Sequence, residues 1–215
     1  MTEQTRSNGH GALSTIEGYL LDVTLTLDRL PVEGIARVVE VLAEARGTGR
    51  RVYIFGNGGS AATASHFACD LAKGAAGEHR PGLRTQCLND SMPLTTAWAN
   101  DTDYENVFSA RLVHLAEPGD VVIAISGSGN SPNVLNGVKA ARVCGATTIG
   151  LCGFDGGRLS SLVDIPIVVH NQVMEQVEDV HLLLGHVITT CLRQGTPGAR
   201  ADREPVGIHA GVPAG

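Results

Sequence analysis

The sequence predicts an α/β protein built on a doubly wound parallel sheet, with two helices ahead of the first strand. Three observations carry that expectation. Short apolar runs, Val52-Tyr53-Ile54-Phe55 and Val121-Val122-Ile123-Ala124-Ile125, each stop at a glycine- or serine-rich loop, as buried parallel strands do. Amphipathic segments of helical period alternate with these runs. The composition is 43% hydrophobic but only 4% aromatic, with 27 glycines scattered through apolar segments. Glycine at about twice its usual share then marks backbone turns and close approaches rather than a linker.

Each element has its own signal. Residues 1–13 are polar and glycine-rich and are expected to form a flexible arm. From Ser14, Ile16, Tyr19, Leu20, Val23, Leu27 and Leu30 recur at helical spacing. Pro31 opens a second helix whose apolar stripe is Ile35, Val38, Val39, Leu42 and Ala45. Two amphipathic helices before any strand supply more helical surface than one sheet needs, which points to oligomer formation. Strand 51–55 ends at Gly56, and a helix follows through Lys73. Further strands are expected at 85–88, 120–125, 147–151 and 165–169, with helices at 104–115, 133–143 and 174–192. Residues 14–192 then make one domain, and 193–215, with little to bury, a disordered tail.

A chain of 215 residues is one domain's length, able to bury roughly 70% of the surface its unfolded form exposes. Lys plus Arg number 16 against 22 Asp plus Glu, a net charge of −6. That balance argues against a nucleic-acid or membrane-surface partner, because both need a basic face. No apolar run approaches the roughly 18 residues of a membrane span, and MTEQTRSNGHGALST lacks the apolar core of a signal peptide. The five cysteines, an odd number without CxxC spacing, read as reduced thiols of a cytoplasmic protein.

Two loops share one design. The first strand leads into Gly56-Asn57-Gly58-Gly59-Ser60 and a helix; the 120–125 strand leads into Ser126-Gly127-Ser128-Gly129-Asn130-Ser131 and a helix. Glycines let backbone N–H groups turn inward, a helix N-terminus favours negative charge, and hydroxyls add donors. Ordinary loops with capping serines are the alternative reading. Neither loop carries the Gly-Lys-Ser/Thr of a nucleotide-binding P-loop, nor GxGxxG with an acidic residue about 20 positions on. A phosphate without a nucleotide is the expected ligand.

GNGGS after a strand, then HFACDL, NDTDYENVF, ISGSGNSPNV, GFDGG and EQVEDVHLLLGH arrive in an order and spacing that resembles the sugar isomerase (SIS) domain family, and within it the phosphoheptose isomerases. The likeness spans residues 14–192. It implies a flavodoxin-like α/β/α sandwich and a homotetramer with sites at subunit interfaces. The implied reaction converts sedoheptulose 7-phosphate to D-glycero-D-manno-heptose 7-phosphate through an enediol. On the family pattern Asn57, Gly58 and Ser60 line the sugar-phosphate site, and Ser126, Gly127, Ser128 and Ser131 surround the phosphate. Asn100 and Asp101 match a substrate-contacting pair. A zinc ion, one per subunit, falls to His66, Asp70, Glu178 and His186. Two positions depart from the pattern: Cys69-Asp70 stands where the family has two glutamates, and Glu178 where it has glutamine.

The residues themselves support part of this. His66 and Asp70 stand at i, i+4 on one helix face, a spacing that can chelate one ion. One His with three oxygen or nitrogen partners suits Zn²⁺, with Mn²⁺, Ni²⁺ and Fe²⁺ open. The alternative is a packed His66, with Asp70 paired to Lys73. Glu178 and His186 are eight helical residues apart, about 12 Å, too far to ligate one ion from one helix. Either they come from different subunits or the helix begins after Glu178. His181, between them, reads as structural or as support for a ligand; His10, His79, His114, His170 and His209 read as surface or loop residues. For an aldose–ketose isomerisation, Asp70 or Glu178 would serve as base and His186 as acid, with a metal to polarise the carbonyl. Two other readings remain open: an isomerase of another sugar phosphate, and a non-catalytic SIS tetramer that senses sugar phosphates or binds a partner. The second could keep the loops but has no reason to keep the four polar residues.

Overall fold

The structure is a computed structural model that describes residues 4–77 and 80–195. Helices α1 (Gln4–Leu27) and α2 (Val32–Thr48) precede strand β1 (Arg51–Gly56). Helix α3 (Gly59–Cys69) runs into one π-helical turn (Asp70–Gly74), followed by β2 (Arg84–Cys87) and α4 (Met92–Asp101). A 3₁₀ turn (Tyr104–Asn106) leads to α5 (Ser109–Leu115), β3 (Val121–Ser126) and α6 (Pro132–Val143). The chain closes with β4 (Thr147–Gly153), α7 (Gly157–Leu162), β5 (Ile165–Val169) and α8 (Met174–Gln194).

The five strands pair in parallel in the order β2-β1-β3-β4-β5. This is the flavodoxin-like order, and its reversal point lies between β1 and β3, where ligands bind beyond the strands' carboxyl ends. Alternation along the strands divides the core in two. Val52, Ile54, Ile123 and Ile125 pack with Leu42, Phe67 and Leu184 on one face. Tyr53, Phe55, Val122 and Ala124 pack with Phe108, Leu112 and Val138 on the other. Phe55 stacks on Phe108 with ring centroids 4.6 Å apart; truncating so buried a ring to alanine costs about 3–5 kcal/mol. The uninterrupted burial of β1 and β3 is what made their apolar runs readable.

Helix α1 lies against α8, where the Tyr19 hydroxyl donates to Asp179 Oδ2 at 2.5 Å. That bond holds the proton on the phenol and pushes its pKa up to about 12. The outer face of α1 carries an exposed apolar stripe of Leu13, Ile16, Leu20, Leu21 and Leu25, Leu20 being 61% exposed.

Four expectations are corrected. Helix α1 starts at Gln4, not Ser14, because lengthening an existing helix adds a hydrogen bond per residue without a new nucleation cost. Segment 104–115 is a 3₁₀ turn and a separate α5 rather than one helix. Helices α4 and α7 were not anticipated: α4 buries none of its residues and so shows no apolar stripe, and α7 is only six residues long. Helix α8 extends to Gln194, past the expected end at 192; the rest of the expected tail, 196–215, lies outside the described residues.

Candidate active site

Both glycine loops sit at the reversal point, one after β1 and one after β3. Gly58, with φ +54, turns the chain into α3, a conformation that favours glycine. Asn89 fixes the loop's root: Gly56 N–H donates to its Oδ1 at 3.1 Å and its Nδ2 donates to Gly56 O at 2.9 Å. Ser60 lies buried in the first turn of α3. In the second loop Ser126 Oγ accepts from Gly129 N–H at 3.2 Å, and Ser128 Oγ accepts from Asn130 N–H at 3.3 Å. Gly127 O accepts from Gly153 N–H at 2.9 Å, tying this loop to the end of β4. Ser131 stands at the N-cap of α6, and its side chain makes no cap hydrogen bond. Its hydroxyl is therefore available to an anion beside the helix N-terminus.

Helices α3 and α8 lie side by side in the same sense, with Glu178 against Gly59, Gly185 against Phe67 and His186 against His66. A Cβ at Gly59 would collide with both Glu178 carboxylate oxygens, so glycine makes room for that close approach. About two turns further along, His66 Nε2 and His186 Nε2 are 3.0 Å apart. Asp70 Oδ2 lies 3.4 Å from the first and 3.6 Å from the second. Asp70 opens the π-helical turn, a local widening of the helix that recurs at functional positions. Among the described residues the ion-pair partners of Asp70 are the two imidazoles, not Lys73.

This cluster fits a metal. Four tetrahedral ligands at 2.0–2.1 Å from zinc stand about 3.3 Å from one another, close to the three separations observed. Glu178 is not part of the cluster, and α8 begins at Met174. The option of a helix starting after Glu178 is thereby removed, and the two ends of the α3–α8 contact hold separate groups.

The remaining residues fall as follows. Asn100 Nδ2 donates to Asp101 Oδ1 at 2.9 Å, both exposed at the end of α4. His181 is 1% exposed, neither ring nitrogen has a hydrogen-bond partner, and burial pushes its pKa down to about 4. It is a neutral core residue. His114 and His170 are exposed, while His79, His209 and the side chain of His10 lie outside the described residues. Three residues at the reversal point were not anticipated: Asn89, Asn133 and Tyr104. Asn133 Nδ2 donates to Asn57 Oδ1 and Asn133 Oδ1 accepts from Asn57 Nδ2, both at 2.9 Å, and the Tyr104 hydroxyl donates to Asn57 Oδ1 at 3.1 Å. The sequence signal for Asn89 was its place directly after the 85–88 strand; the other two contacts carry no local signal.

The SIS domain family model matches residues 18–153. A phosphoheptose isomerase from Trichlorobacter lovleyi is 41% identical over 164 residues, covering 76% of this chain and 83% of that one. The structure of phosphoheptose isomerase from Neisseria gonorrhoeae aligns with a TM-score of 0.75 at 29% identity, over 90% of this chain and 100% of that one. A phosphoheptose isomerase structure from Francisella tularensis aligns at 0.79 and 26% identity, over 91% and 100%.

Proposed function

The chain belongs to the SIS domain family, and from that premise we propose that it is a phosphosugar isomerase that converts sedoheptulose 7-phosphate to D-glycero-D-manno-heptose 7-phosphate. The observation that carries the reading is the convergence of His66, Asp70 and His186 on the same two helices whose amino ends meet the GNGGS loop. Gly59 and His66 are seven helical residues apart, a rise of about 10 Å that an extended phosphorylated sugar can bridge from the loops to the cluster. The names of the relatives at 41% and 29% identity support the same activity.

The phosphate is anchored by Ser60, Ser128, Ser131 and the backbone of Gly58 and Gly127, with Asn57, Asn100 and Asp101 toward the sugar. Binding energy spent at that end fixes C1 and C2 against the cluster. Asp70 Oδ2 takes the proton from the carbon beside the carbonyl, and His186 Nε2 gives one to the carbonyl oxygen, which forms the enediol. The reverse pair of transfers at the neighbouring carbon completes the isomerisation. A divalent metal, zinc by its donor set, held by His66, Asp70 and His186, would occupy these same atoms and supply polarisation of the carbonyl in place of the His186 proton, with the other oxygen of Asp70 left as base.

The assembly is a homotetramer with sites at subunit interfaces. The exposed leucine stripe of α1, together with Met174 and Val187 on the outer side of α8, each 39% exposed, supplies the apolar surface that closed symmetry would cover. Glu178 of the partner subunit then completes the ligand set that its own chain leaves at three. Five unpaired cysteines suit the reducing cytoplasm, and no helix among the described residues is long and apolar enough to cross a membrane.

The test is incubation of the purified protein in D₂O with a panel of C5 to C7 ketose and aldose phosphates. Sedoheptulose 7-phosphate should be converted, with solvent deuterium entering the product carbon. Turnover of a pentose or hexose phosphate alone would reassign the substrate. Binding without turnover of any member would leave a sensing module in place of an enzyme.

A further inference from the structure

The pair formed by Asn57 and Asn133 joins the loop after β1 to the first turn of α6, 76 positions on, and its orientation follows from one backbone group. Val134 N–H donates to Asn133 Oδ1 at 2.9 Å. A backbone N–H only donates, so the Asn133 atom that faces it is the oxygen. That oxygen also faces Asn57 at 2.9 Å, so the Asn57 atom there is the nitrogen. The other end of Asn57 is therefore its carbonyl oxygen, which receives Asn133 Nδ2 and the Tyr104 hydroxyl. An amide oxygen has two lone pairs, and both are used; the amide nitrogen has two hydrogens, and one is left. Asn133 is 2% exposed, so water does not compete for its bonds.

We propose that Asn133 and Tyr104 are positioning residues that lock the Asn57 side chain as a single hydrogen-bond donor toward the bound ligand. The loop after β1 then selects an acceptor oxygen, from a phosphate or a sugar oxygen, at that point. An unlocked amide could turn over and present its own oxygen, which repels such a ligand. The network also draws Tyr104, on the segment that follows Asn100 and Asp101, onto the loop after β1. The proposal rests on the reading above that Asn57 lines the sugar-phosphate site.

Asn57→Asp separates the two orientations directly, because the carboxylate keeps the shape and has no hydrogen to donate. KM for sedoheptulose 7-phosphate should rise at least as far in Asn57→Asp as in Asn57→Ala. Asn133→Ala should raise KM about tenfold, near the lower end for a lost hydrogen bond to a charged group, with a much smaller change in kcat. Tyr104→Phe removes one hydroxyl from a half-exposed ring and should raise KM a few-fold at an unchanged thermal midpoint. Both effects should vanish in the Asn57→Ala background, since residues that act through one partner are not additive. Wild-type affinity in Asn57→Asp, or full additivity of Asn133→Ala and Tyr104→Phe with Asn57→Ala, overturns the proposal. If the wild type turns over another sugar phosphate of the panel, the substrate reading fails alone and the same cycle is run on that sugar. A wild type that binds no sugar phosphate overturns both.

Discussion

His66 Nε2 and His186 Nε2 approach to 3.0 Å although they belong to helices 120 positions apart, and both face the same oxygen of Asp70. Two imidazole nitrogens this close share either a proton or an ion. The ion is the expected outcome. Protein purified without chelator or histidine tag should carry about one transition metal per subunit, zinc first. His66→Ala and His186→Ala should each lower that content in elemental analysis. Full isomerase activity from metal-free protein would mean that the cluster works by proton transfer alone.

Ser131 offers the sharper test of the phosphate loops, because its hydroxyl is not used in capping α6. Ser131→Ala should leave the fold intact and cost roughly 1.5–3 kcal/mol of phosphate binding, the value of a hydrogen bond to a charged group. Steady-state kinetics should show this as KM raised about ten- to a hundred-fold. An unchanged KM would take the second loop out of the site.

His181 predicts how stability depends on pH. Its imidazole is held near 4 by burial, against about 6.5 in the unfolded chain. Between those values the unfolded chain binds a proton that the folded chain refuses, so this residue's contribution falls as pH falls and levels off below about 4. The full effect is on the order of 3 kcal/mol. Urea unfolding of wild type and His181→Leu should give curves that diverge between pH 7 and 4.5, the variant losing less. Parallel losses would show that His181 is not the group being protonated.

What could be read from the sequence tracks how local the physics is. Strands β1 and β3 were legible because each residue from Val52 to Phe55 and from Val121 to Ile125 is buried, which leaves a continuous apolar run. The His66–Asp70 spacing was legible because helical geometry alone puts i and i+4 on one face. Helix α4 was not, because none of its residues is fully buried and its inner face is only Thr95, Trp98 and Ala99, partly covered. The Asn57–Asn133–Tyr104 network was also hidden. Its three residues come from three segments, and only the sheet order brings them together. The distance argument for Glu178 held because rise per residue does not depend on tertiary context, provided the helix is continuous, and α8 is.

That continuity decides which variants can complement each other. Asp70 and His186 meet in one chain, so Asp70→Ala and His186→Ala damage the same site, and mixing them should restore nothing. Glu178 lies at the opposite end of the α3–α8 contact, against Gly59. If it serves the partner's cluster, Asp70→Ala mixed with Glu178→Ala creates hybrid pairs in which one site loses both groups and the other keeps all four. With free subunit exchange, about half the pairs are hybrid and half their sites intact, so activity should recover to about a quarter of wild type. Exchange is confirmed separately by mass tags on the two variants. Recovery from the first mixture would mean that Asp70 and His186 serve sites from different chains; none from the second despite confirmed exchange would place Glu178 outside any shared site and leave the cluster with three protein ligands.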